Sequence, residues 1–592
     1  MNEKMCGIIG FIGNREAAPI LLEGLRKLEY RGYDSVGMTT LHNGKFFCIK
    51  DKGRVEDVHK KYNFLKLPGR IGIAHTRWAT HGKVCKENAH PHFDCKNKIA
   101  VVHNGIIENF EKLKKELIEK GHKFKSETDT EVICHLIEEE MKSNDFFESC
   151  KNALKKLEGS YALLILNKEK NLMIAARKGS PLVLGVSDFG YFAASDIPAF
   201  LNYTKKVVFL YDYDLIAIGN SLRFYNLKEN KFVERKIEEI DLSEEKIEKG
   251  KFEHFMIKEI LEQVETIKKA SVQNERLLKK VAMEIKKAKK VFLIGCGTSF
   301  HACVAASYLF SKIAGLHLTP ILASEFPNFK NLFDKNTVVI AVSQSGETYD
   351  VLDAVKFAKE KGSKIISLVN VLGSSLTRIS DVVIPINAGL EICVLATKTY
   401  TSQLVIFFLL ACACKKNLEN AKFKLKFLWN ILYNLTSLTM RKQIKKLAKI
   451  LKNKEHIFLI GRGLEYVTAL EAALKIKEAS YIHAEAFAGG ELKHGTISLI
   501  EKNTPCIAFV SNENEREIVS NAIEIKSRGG FIIGISPKFN EIFDFWIKVP
   551  ECEELNPIIQ IIPMQILAYQ LALLRGYDPD HPRNLAKSVT VK

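Results

Sequence analysis

The spacing of hydrophobic positions changes near residue 290 and divides the chain into two halves with different predicted elements. In the first half, short apolar stretches such as RIGIAHTRWAT and SYALLILN read as strands that alternate with polar segments. Amphipathic stretches such as NFEKLKKELIEKG and TDTEVICHLIEEEMK interrupt them and predict helices. Residues 6–240 are therefore predicted to form an α+β domain.

The second half has a different order of elements. Residues 241–278 are charged and helical in pattern, without a strand signal, and are predicted to connect the halves. From Val291 onward, uninterrupted apolar strands alternate with helical segments, as in VFLIGCGTSFHACVAASYLF followed by TVVIAVSQSGETYDVLDAVKFAKEKG. Buried strands alternating with helices are typical of a parallel, doubly wound sheet.

An internal repeat lies within this second half. VFLIGCGTSF, which starts at Val291, resembles IFLIGRGLEY, which starts at Ile457, and VVIAVSQSGE resembles PCIAFVSNEN at a nearly equal spacing. We therefore predict two copies of one α/β unit, residues 279–427 and 449–582, followed by a C-terminal tail, residues 583–592. Such a layout often places a ligand site between or beside the copies.

The composition is that of a folded protein in a reducing compartment. Hydrophobic residues make up 46% and charged residues 26% of the 592 positions. The 13 cysteines are scattered and odd in number, and no secretory leader is recognisable, so free thiols and a cytoplasmic location are expected. The apolar run from Leu404 to Cys414 is shorter than the roughly 20 residues that span a bilayer, so it predicts a buried helix and no membrane partner.

The net charge of +18 would suit a polyanionic partner. The excess is mostly lysine dispersed through amphipathic segments such as RKQIKKLAKILKNK, without zinc-finger spacing or an RNA-binding signature. Solvated, lysine-rich helix faces explain this pattern, so no nucleic-acid partner is expected. Attraction of anionic substrates is the inference that remains.

The opening segment MNEKMCGIIGFIG offers a nucleophile. Removal of the residues before Cys6 would leave a thiol and a free α-amino group on one residue; the alternative is an inert buried cysteine. Arg77 in HTRWATHG suits a carboxylate, Asn104 and the Gly105 amide in HNG suit an oxyanion, and Asp129 in SETDTE suits an ammonium. An ordinary ion pair and a hairpin turn are the alternatives for Arg77 and for Asn104-Gly105. Together these residues would hold an α-amino acid with its side-chain carbonyl at the thiol.

Two hydroxyl-rich turns of the first α/β copy predict a phosphate site. SQSGET ends a strand and opens a helix, where free N–H groups and the helix dipole favour an anion, although N-capping is the alternative explanation. In the second copy, SNENE puts carboxylates at the corresponding turn, which would repel a phosphate. The candidates are Ser343, Gln344, Ser345 and Thr348 in SQSGET, and Cys296, Gly297, Thr298 and Ser299 in CGTS.

The segment LEAALKIKEASYIHAEAFAGGELKHG contains candidates for proton transfer. Glu471, Lys475 and Glu478 are spaced to lie on one face of a helix. They would form either an exposed ion-pair ladder or, among the surrounding apolar residues, partly buried groups with shifted pKa values. His494 is a candidate acid or base, with a structural role as the alternative.

The segment CKENAHPHFDC contains residue types that can bind a metal ion. Cys85, His90, His92 and Cys95 could be arranged around zinc, but their spacing fits no common structural zinc pattern. We therefore expect a loop without metal, and no metal elsewhere.

Motifs along nearly the whole chain from Met5 resemble one family. They are MCGIIGFIG, LEYRGYDSVGM, HTRWATHG, NAHPHFD, HNGIIEN, ETDTE, SQSGET, ATKTYTSQ, SYIHAEAFAGGELKHG and PRNLAKSVTV. The chain resembles the glutamine:fructose-6-phosphate aminotransferases (isomerizing). This resemblance implies an N-terminal-nucleophile (Ntn) glutaminase sandwich followed by two doubly wound sugar isomerase (SIS) domains. It also implies synthesis of D-glucosamine 6-phosphate and L-glutamate from D-fructose 6-phosphate and L-glutamine, the first step of amino-sugar synthesis, by a homodimer or higher homo-oligomer without cofactors.

The resemblance also implies roles for the glutaminase residues. Cys6 would attack the glutamine amide with its own α-amino group as base, and Asn104 and Gly105 would stabilise the oxyanion. Arg77 and Asp129 would hold the carboxylate and the amine of glutamine. The further glutamine-binding residues implied are Trp78, Thr80 and His81, of which Trp78 matches a tryptophan that gates an ammonia channel.

For the isomerase half, the resemblance implies that Lys587 forms a Schiff base with the opened ketose. His494, acting in this family from the neighbouring subunit, would assist ring opening, and Glu478 would move a proton between the first two carbons with support from Lys475 and Glu471. The residues implied to bind the sugar phosphate are Cys296, Gly297, Thr298, Ser299, Ser343, Gln344, Ser345, Thr348, Val394 and Ala396.

Some positions depart from the family pattern. Cys393 and Leu395 replace a glycine and an alanine, which leaves open a relative that acts on another phosphosugar. A non-enzymatic sugar-phosphate sensor is the other alternative. The residues before Cys6 would block its amine if they were retained, so the functional chain is predicted to begin at Cys6.

Overall fold

The computed structural model describes residues 6–78, 81–240 and 249–589. The chain divides into two compact units. One contains Met1–Glu248, Glu347–Tyr349 and Ala586–Lys592, and the other contains Lys249–Gly346 and Asp350–Leu585.

The first unit contains antiparallel strands and a smaller number of helices. Its strands are β1 (Gly7–Gly13), β2 (Ser35–His42), β3 (Lys45–Lys52), β4 (Ile71–Arg77), β5 (His92–Phe93), β6 (Ile99–Ile107), β7 (Gly159–Asn167), β8 (Met173–Lys178), β9 (Val183–Ser187), β10 (Gly190–Ala194), β11 (Lys206–Phe209), β12 (Asp214–Ile218), β13 (Leu222–Asn226), β14 (Lys231–Val233) and β15 (Glu238–Glu239). Its helices are α1 (Ala17–Leu28), α2 (Val55–Tyr62), α3 (Phe110–Glu119), α4 (Glu131–Glu140) and α5 (Phe146–Lys155). The strands and helices predicted from the four quoted segments are present as β4, β7, α3 and α4.

These strands form two sheets that pack face to face. Their orders are β15-β11-β9-β10-β1-β4-β2-β3 and β14-β13-β12-β8-β7-β6-β5 among the described residues. Successive side chains of β1 point to opposite faces of its sheet. Ile8 packs with Leu164 in the core between the sheets, whereas Ile9 packs with Leu21 of α1 on the outer face. Helices α3, α4 and α5 cover the outer face of the other sheet. The predicted α+β sandwich is confirmed.

The second unit begins with helices and continues as alternating strands and helices. Its helices are α6 (Phe255–Leu261), α7 (Gln263–Ser271), α8 (Glu275–Lys287), α9 (Gly297–Leu309), α10 (Tyr349–Glu360), α11 (Ser375–Ile379), α12 (Lys398–Cys414), α13 (Leu418–Leu435), α14 (Leu438–Leu451), α15 (Leu464–Ser480), α16 (Glu515–Lys526) and α17 (Asn556–Leu574). Its strands are β16 (Lys290–Gly295), β17 (Thr319–Leu322), β18 (Thr337–Ser343), β19 (Lys364–Val369), β20 (Val382–Pro385), β21 (His456–Gly461), β22 (His483–Ala488), β23 (Pro505–Phe509), β24 (Phe531–Ser536) and β25 (Phe545–Lys548).

The internal repeat appears as two parallel sheets of matching topology. Their strand orders, β17-β16-β18-β19-β20 and β22-β21-β23-β24-β25, are the same order in two consecutive copies, and every pairing is parallel. Buried residues of both copies belong to one core, together with α12 and α17. The two predicted doubly wound domains are confirmed.

Two apolar helices lie in this shared core. Every residue of α12 is buried, as predicted for the run from Leu404 to Cys414. By length and composition alone, the segment Glu553–Leu574 could cross a membrane, but 83% of its most apolar window is buried inside the protein. The sequence analysis did not single out this second helix because asparagine and glutamines interrupt its apolar run. Burial of this kind is typical of the core helix of a globular protein.

Close packing between the two sheets of the first unit gives a stability prediction. A Cβ at Gly10 would lie 2.7 Å from Leu164 Cδ1, so β1 and β7 leave no spare volume there. We expect Leu164→Ala to lower the free energy of unfolding of this unit by about 2–5 kcal/mol, because a cavity would replace the leucine. Denaturant unfolding followed by circular dichroism measures the change. The control is Ile118→Ala on α3, whose side chain is 52% exposed; equal effects of the two variants would contradict the packing described here.

Candidate active sites

Cys6 lies at the start of β1, where the first unit brings three predicted residues together. Its Sγ accepts a hydrogen bond from the Trp78 N–H at 3.2 Å. Its carbonyl oxygen accepts hydrogen bonds from Asn104 Nδ2 at 2.8 Å and from Arg31 Nε at 3.2 Å. Strand pairing explains the first contact, because β1 and β4 are neighbours and Gly7 pairs with Thr76, two residues before Trp78.

The Cys6 thiol is half-buried and stays protonated near neutral pH. Burial raises the pKa of Cys6 to about 11, although the Trp78 N–H and the Arg77 guanidinium act in the opposite direction. A thiol with such a pKa needs a base before it can act as a nucleophile.

Asn104 and Gly105 lie inside β6, so the hairpin alternative considered for them is wrong. Gly105 has φ +124°, and a Cβ there would lie 2.1 Å from the Ser160 carbonyl oxygen, so only glycine fits. One N–H of the Asn104 amide already donates to Cys6, and an amide nitrogen carries two. A second donor on the same nitrogen is therefore available for an oxyanion.

Arg77 and Asp129 are both buried and occupied by backbone partners. The Arg77 guanidinium donates to the carbonyls of His81, Gly82 and Lys83, the last at 3.3 Å. Asp129 Oδ2 accepts from the Ile107 N–H at 2.8 Å, which ties it to the strand that carries Asn104. An α-amino acid would therefore bind to the N–H groups of Arg77 and the lone pairs of Asp129 that these hydrogen bonds do not use.

Two of the remaining glutamine-binding candidates, Trp78 and His81, follow β4. The Trp78 ring meets Tyr33 edge to face, with centroids 4.7 Å apart. The His81 ring packs against Phe110 at 5.3 Å. Thr80 lies outside the described residues.

A group of buried histidines supports the strands that carry these residues. His75 and His90 stack with ring centroids 4.0 Å apart. His75 Nε2 bonds the His103 carbonyl at 3.0 Å, and His103 Nδ1 bonds Thr130 Oγ1 at 2.9 Å. Burial lowers the pKa of His75 to about 3 and holds the pKa of His90 and of His92 well below the usual range. These histidine rings are therefore neutral and have a structural role.

The residues of CKENAHPHFDC that could be arranged around zinc have separate partners. His90 Nδ1 accepts from the His103 N–H, and His92 Nε2 bonds Thr128 Oγ1 at 3.1 Å. Cys95 instead contacts two histidines from outside that segment.

The second unit gathers Glu471, Lys475 and Glu478 on one face of α15. Lys475 Nζ lies 2.6 Å from Glu478 Oε2 and 3.4 Å from Glu471 Oε1. The side chains of Glu471 and Lys475 are fully buried and that of Glu478 is 19% exposed, so the alternative of an exposed ladder is wrong. Burial alone would lower the pKa of Lys475, but the two carboxylates outweigh it and raise that pKa. Burial raises the pKa of Glu478 despite the neighbouring ammonium.

Thr298 and His301 connect this cluster to the first copy. Thr298 Oγ1 donates to Glu471 Oε1 at 3.0 Å and accepts from Lys475 Nζ at 3.0 Å. His301 Nδ1 lies 2.7 Å from Glu471 Oε2. The sequence analysis missed His301, although it follows Thr298 by one helical turn of α9 and so shares its face.

The predicted sugar-phosphate residues occupy two strand-to-helix junctions and one loop. Ser343 ends β18, and Gln344, Ser345 and Thr348 lie between β18 and α10, as predicted for a strand end that opens a helix. Ser343 Oγ accepts from the Gly346 N–H at 2.9 Å. Cys296 and Gly297 lie where β16 passes into α9, and Ser299 Oγ accepts from Gln403 Nε2 at 3.2 Å.

Val394 and Ala396 belong to a loop held by two buried carboxylates. Glu259 Oε1 accepts from the N–H groups of Ile392 and Cys393, at 2.5 and 3.2 Å. Glu391 Oε1 accepts from the Thr397 N–H at 2.9 Å. These hydrogen bonds hold the backbone on both sides of Val394 and Ala396.

The two remaining candidates lie at the surface or in the tail. His494 ends a 3-10 turn over Gly489–Lys493 and is exposed. Lys587 is half-buried and belongs to the tail Ala586–Lys592, which is part of the first compact unit.

Comparisons with known proteins agree with this division. A glutamine amidotransferase domain model matches residues 75–202, and a SIS domain model matches residues 284–413 and 450–575. The glutamine–fructose-6-phosphate aminotransferase (isomerizing) of Pyrococcus horikoshii is 45% identical over 605 residues, which cover 99% of this chain and 100% of the relative. The chain belongs to the glutamine–fructose-6-phosphate aminotransferase (isomerizing) family.

Two further relatives support the assignment to this aminotransferase family. The Thermococcus kodakarensis protein of the same name is 47% identical over 604 residues, again covering 99% of this chain and 100% of the relative. The solved C-terminal domain of glucosamine-fructose-6-phosphate aminotransferase from Francisella tularensis is 33% identical, with a TM-score of 0.52, and covers 56% of this chain and 99% of that domain. The predicted order of a glutaminase domain and two SIS domains is confirmed.

The departures from the family pattern fall on buried positions. Cys393 and Leu395 are fully buried, whereas Val394 and Ala396 between and after them are partly exposed. The two unusual side chains therefore point into the core, and the loop presents the residues expected of the family.

The raised pKa of Cys6 predicts how its alkylation depends on pH. Only the thiolate reacts, so below the pKa the rate should rise about tenfold per pH unit. With a pKa of about 11, the rate of Cys6 modification by iodoacetamide should still be rising at pH values where an ordinary thiol has levelled off. Peptide mass spectrometry on the full chain measures the rate, and N-acetylcysteine is the reference. A plateau at or below the pH of the reference would contradict the expectation.

Proposed function

We propose that this chain makes D-glucosamine 6-phosphate and L-glutamate from D-fructose 6-phosphate and L-glutamine. The observation that carries the proposal is the presence of two separate sets of reactive groups, one in each half. In the first unit the Asn104 amide donates to the Cys6 carbonyl oxygen, which places it on the residue that carries the thiol. The second unit gathers Glu471, Lys475 and Glu478 on one helix face, bonded to Thr298 of the hydroxyl-rich CGTS segment. Relatives that carry the aminotransferase name match the chain over its full length.

In the proposed first step, Cys6 Sγ attacks the side-chain amide carbon of glutamine. The thiol proton passes to the α-amino group of Cys6, because a thiol with a raised pKa needs a base. Asn104 Nδ2 and the Gly105 N–H stabilise the oxyanion, and Arg77 and Asp129 hold the ends of the amino acid. The protonated amine then gives this proton to the amide nitrogen, which leaves as ammonia, and water hydrolyses the thioester to glutamate and restores the thiol.

Trp78, Thr80 and His81 complete the proposed glutamine site. The Trp78 N–H already contacts the Cys6 sulfur, so this loop lies beside the reacting atoms. Trp78 is proposed to gate the passage of ammonia away from water.

In the proposed second step, the amino group of Lys587 forms a Schiff base with the open ketose, with loss of water. Ammonia then takes the place of the lysine, and a proton moves between the first two carbons of the sugar. We assign this transfer to Glu478 and not to Glu471. Glu471 is fully buried and bonded to Thr298 and His301, whereas Glu478 contacts Lys475, is partly exposed and has a raised pKa.

Lys475 and Glu471 would position Glu478 in this step. His494 is exposed. Exposure suits a group that assists ring opening in a neighbouring subunit, so we propose at least a homodimer. The sugar-phosphate contacts are proposed for three segments: Cys296, Gly297, Thr298 and Ser299; Ser343, Gln344, Ser345 and Thr348; and Val394 and Ala396. We further propose a cytoplasmic location and the domain limits 6–240, 279–427 and 449–582, with the connecting segment and the tail as predicted.

Separate assays of the two halves test the proposal. Cys6→Ser should lose glutamine hydrolysis and glutamine-dependent synthesis by more than about 10²-fold, because a hydroxyl is a poor nucleophile, but should keep synthesis from ammonia. Glu478→Gln should lose synthesis from either nitrogen source by about 10²-fold or more and keep glutamine hydrolysis. Product formation is followed by chromatography of the sugar phosphates.

Glu501→Gln, at an exposed position in the same unit, is the matched control and should behave as the parent. Formation of neither glutamate nor aminosugar by the parent chain would rule out the proposed reaction. Equal loss of both partial reactions in Cys6→Ser would argue against separate sites.

The proposed role of the α-amino group predicts an effect of N-terminal processing. A chain that begins at Cys6 should hydrolyse glutamine, whereas one that retains the five preceding residues should not, because its Cys6 nitrogen is an amide without basicity. Both forms should make aminosugar from ammonia. Intact mass defines each form, and glutamate release measures the difference. Glutamine hydrolysis by the longer form would exclude the α-amino group as the base.

A further inference from the structure

A second group of reactive side chains lies in the first unit, apart from the residues assigned to glutamine. Cys95, His122, His135 and Glu138 each offer one potential metal-binding atom, and the four atoms lie within 4.8 Å of one another. Cys95 lies in the turn between β5 and β6, His122 follows α3, and His135 and Glu138 are one turn apart on α4. Three separate segments therefore converge at one point.

Four of the six distances between these atoms are close to those of a tetrahedral coordination shell. Cys95 Sγ lies 3.8 Å from His122 Nδ1 and 3.6 Å from His135 Nδ1. Glu138 Oε2 lies 3.1 Å from His122 Nδ1 and 3.3 Å from His135 Nδ1. Zinc bond lengths at a tetrahedral angle give ligand separations of about 3.6 Å for sulfur to nitrogen and about 3.4 Å for nitrogen to oxygen.

A hydrogen-bonded network explains this convergence less well. Each of the two Nδ1 atoms faces both the thiol and the same carboxylate oxygen, and one N–H cannot point at both. His122 Nε2 lies 2.9 Å from Glu139 Oε2, which places the proton of a neutral ring on Nε2 and leaves a lone pair on Nδ1. In that neutral form the Nδ1 lone pair faces Glu138 Oε2 at 3.1 Å, so either a second ring proton or a metal ion has to lie between the two atoms.

We propose that Cys95, His122, His135 and Glu138 bind a structural zinc ion. One thiolate, two imidazoles and one carboxylate form a closed set of four ligands, which suits Zn²⁺ and leaves no open position for catalysis. Glu139 acts on the far nitrogen of His122 as the outer carboxylate that orients a zinc-bound histidine. Binding releases the Cys95 proton to solvent and involves no redox change.

The site would fix segments that lead into the glutaminase residues. The turn that carries Cys95 precedes β6, which contains Asn104 and Gly105, and α4 begins two residues after Asp129. His122 and His135 are buried, whereas Cys95 is exposed and leaves a path for the ion. The expected effect is on the stability of the first unit, so glutamine hydrolysis is not the readout.

Metal analysis of the full chain tests the proposal. After expression with added zinc and removal of free metal, the parent should hold about one zinc ion per chain by mass spectrometry of the elements. Cys95→Ser should hold less than about a tenth of that amount, because the thiolate is lost and the remaining ligands bind zinc weakly. Cys85→Ser, from the same segment CKENAHPHFDC but outside the four ligands, should keep it.

Cobalt substitution gives a readout that depends on the sulfur ligand. Loading the metal-free parent and Cys85→Ser with Co²⁺ should give a thiolate-to-cobalt charge-transfer band and the intense d–d bands of a tetrahedral site, and Cys95→Ser should give neither. A chelator should lower the melting temperature of the first unit by several degrees in the parent and leave Cys95→Ser unchanged.

Three results would overturn the zinc site. These are a parent without zinc and without the cobalt bands, zinc retained at the parent level by Cys95→Ser, and equal loss of zinc in Cys85→Ser and Cys95→Ser. Cys95 is exposed, so its replacement should leave the chain folded, and circular dichroism checks this. His135→Gln, at a buried ligand, is the second variant and should show the same loss of zinc.

Discussion

The buried ammonium group of Lys475 is the constraint on which the second unit depends. Its side chain is fully buried, and removing a charge from water costs several kcal/mol unless close partners offset the loss. Two of those partners, Glu471 and Glu478, lie on its own helix, but the third, Thr298, lies on α9 of the other copy. The charge is therefore fully satisfied only when the two copies of the repeat are packed together.

This arrangement also separates the two carboxylates by function. Glu471 is bonded to Thr298 and His301 across the interface of the copies, so its position serves the packing of α15 on α9. Glu478 has the ammonium as its main partner, and burial raises its pKa. A protonation change at Glu478 disturbs fewer bonds than one at Glu471, and this difference makes Glu478 the better group for moving a proton.

The sequence predicts what depends on local periodicity and fails where partners are distant in the chain. The strands and helices, the repeat and the shared face of Glu471, Lys475 and Glu478 follow from spacings within a few residues. Burial of the face that carries Glu471, Lys475 and Glu478 does not follow from local spacing, because it depends on helices contributed by both copies. His301 was missed for the same reason: its partner Glu471 lies in the other copy. The hairpin turn that was the alternative for Asn104-Gly105 does not form, because the strand pairing of β6 overrides the local preference of that dipeptide.

The partners of Cys95 also lie far from it in the sequence, and they differ from the buried histidines that are its sequence neighbours. Its sequence neighbours His90 and His92 have hydrogen-bond partners that a neutral ring can satisfy, a backbone N–H and a threonine hydroxyl. His122 and His135 instead converge on one thiol and one carboxylate oxygen, and a neutral ring with its proton on Nε2 would turn a lone pair toward that oxygen unless a metal ion lies between them. Linear spacing groups Cys95 with the first pair, whereas the fold places it with the second. The geometry of the partners, and not the count of histidines and cysteines in a loop, therefore separates the neutral histidines from those of the proposed zinc site.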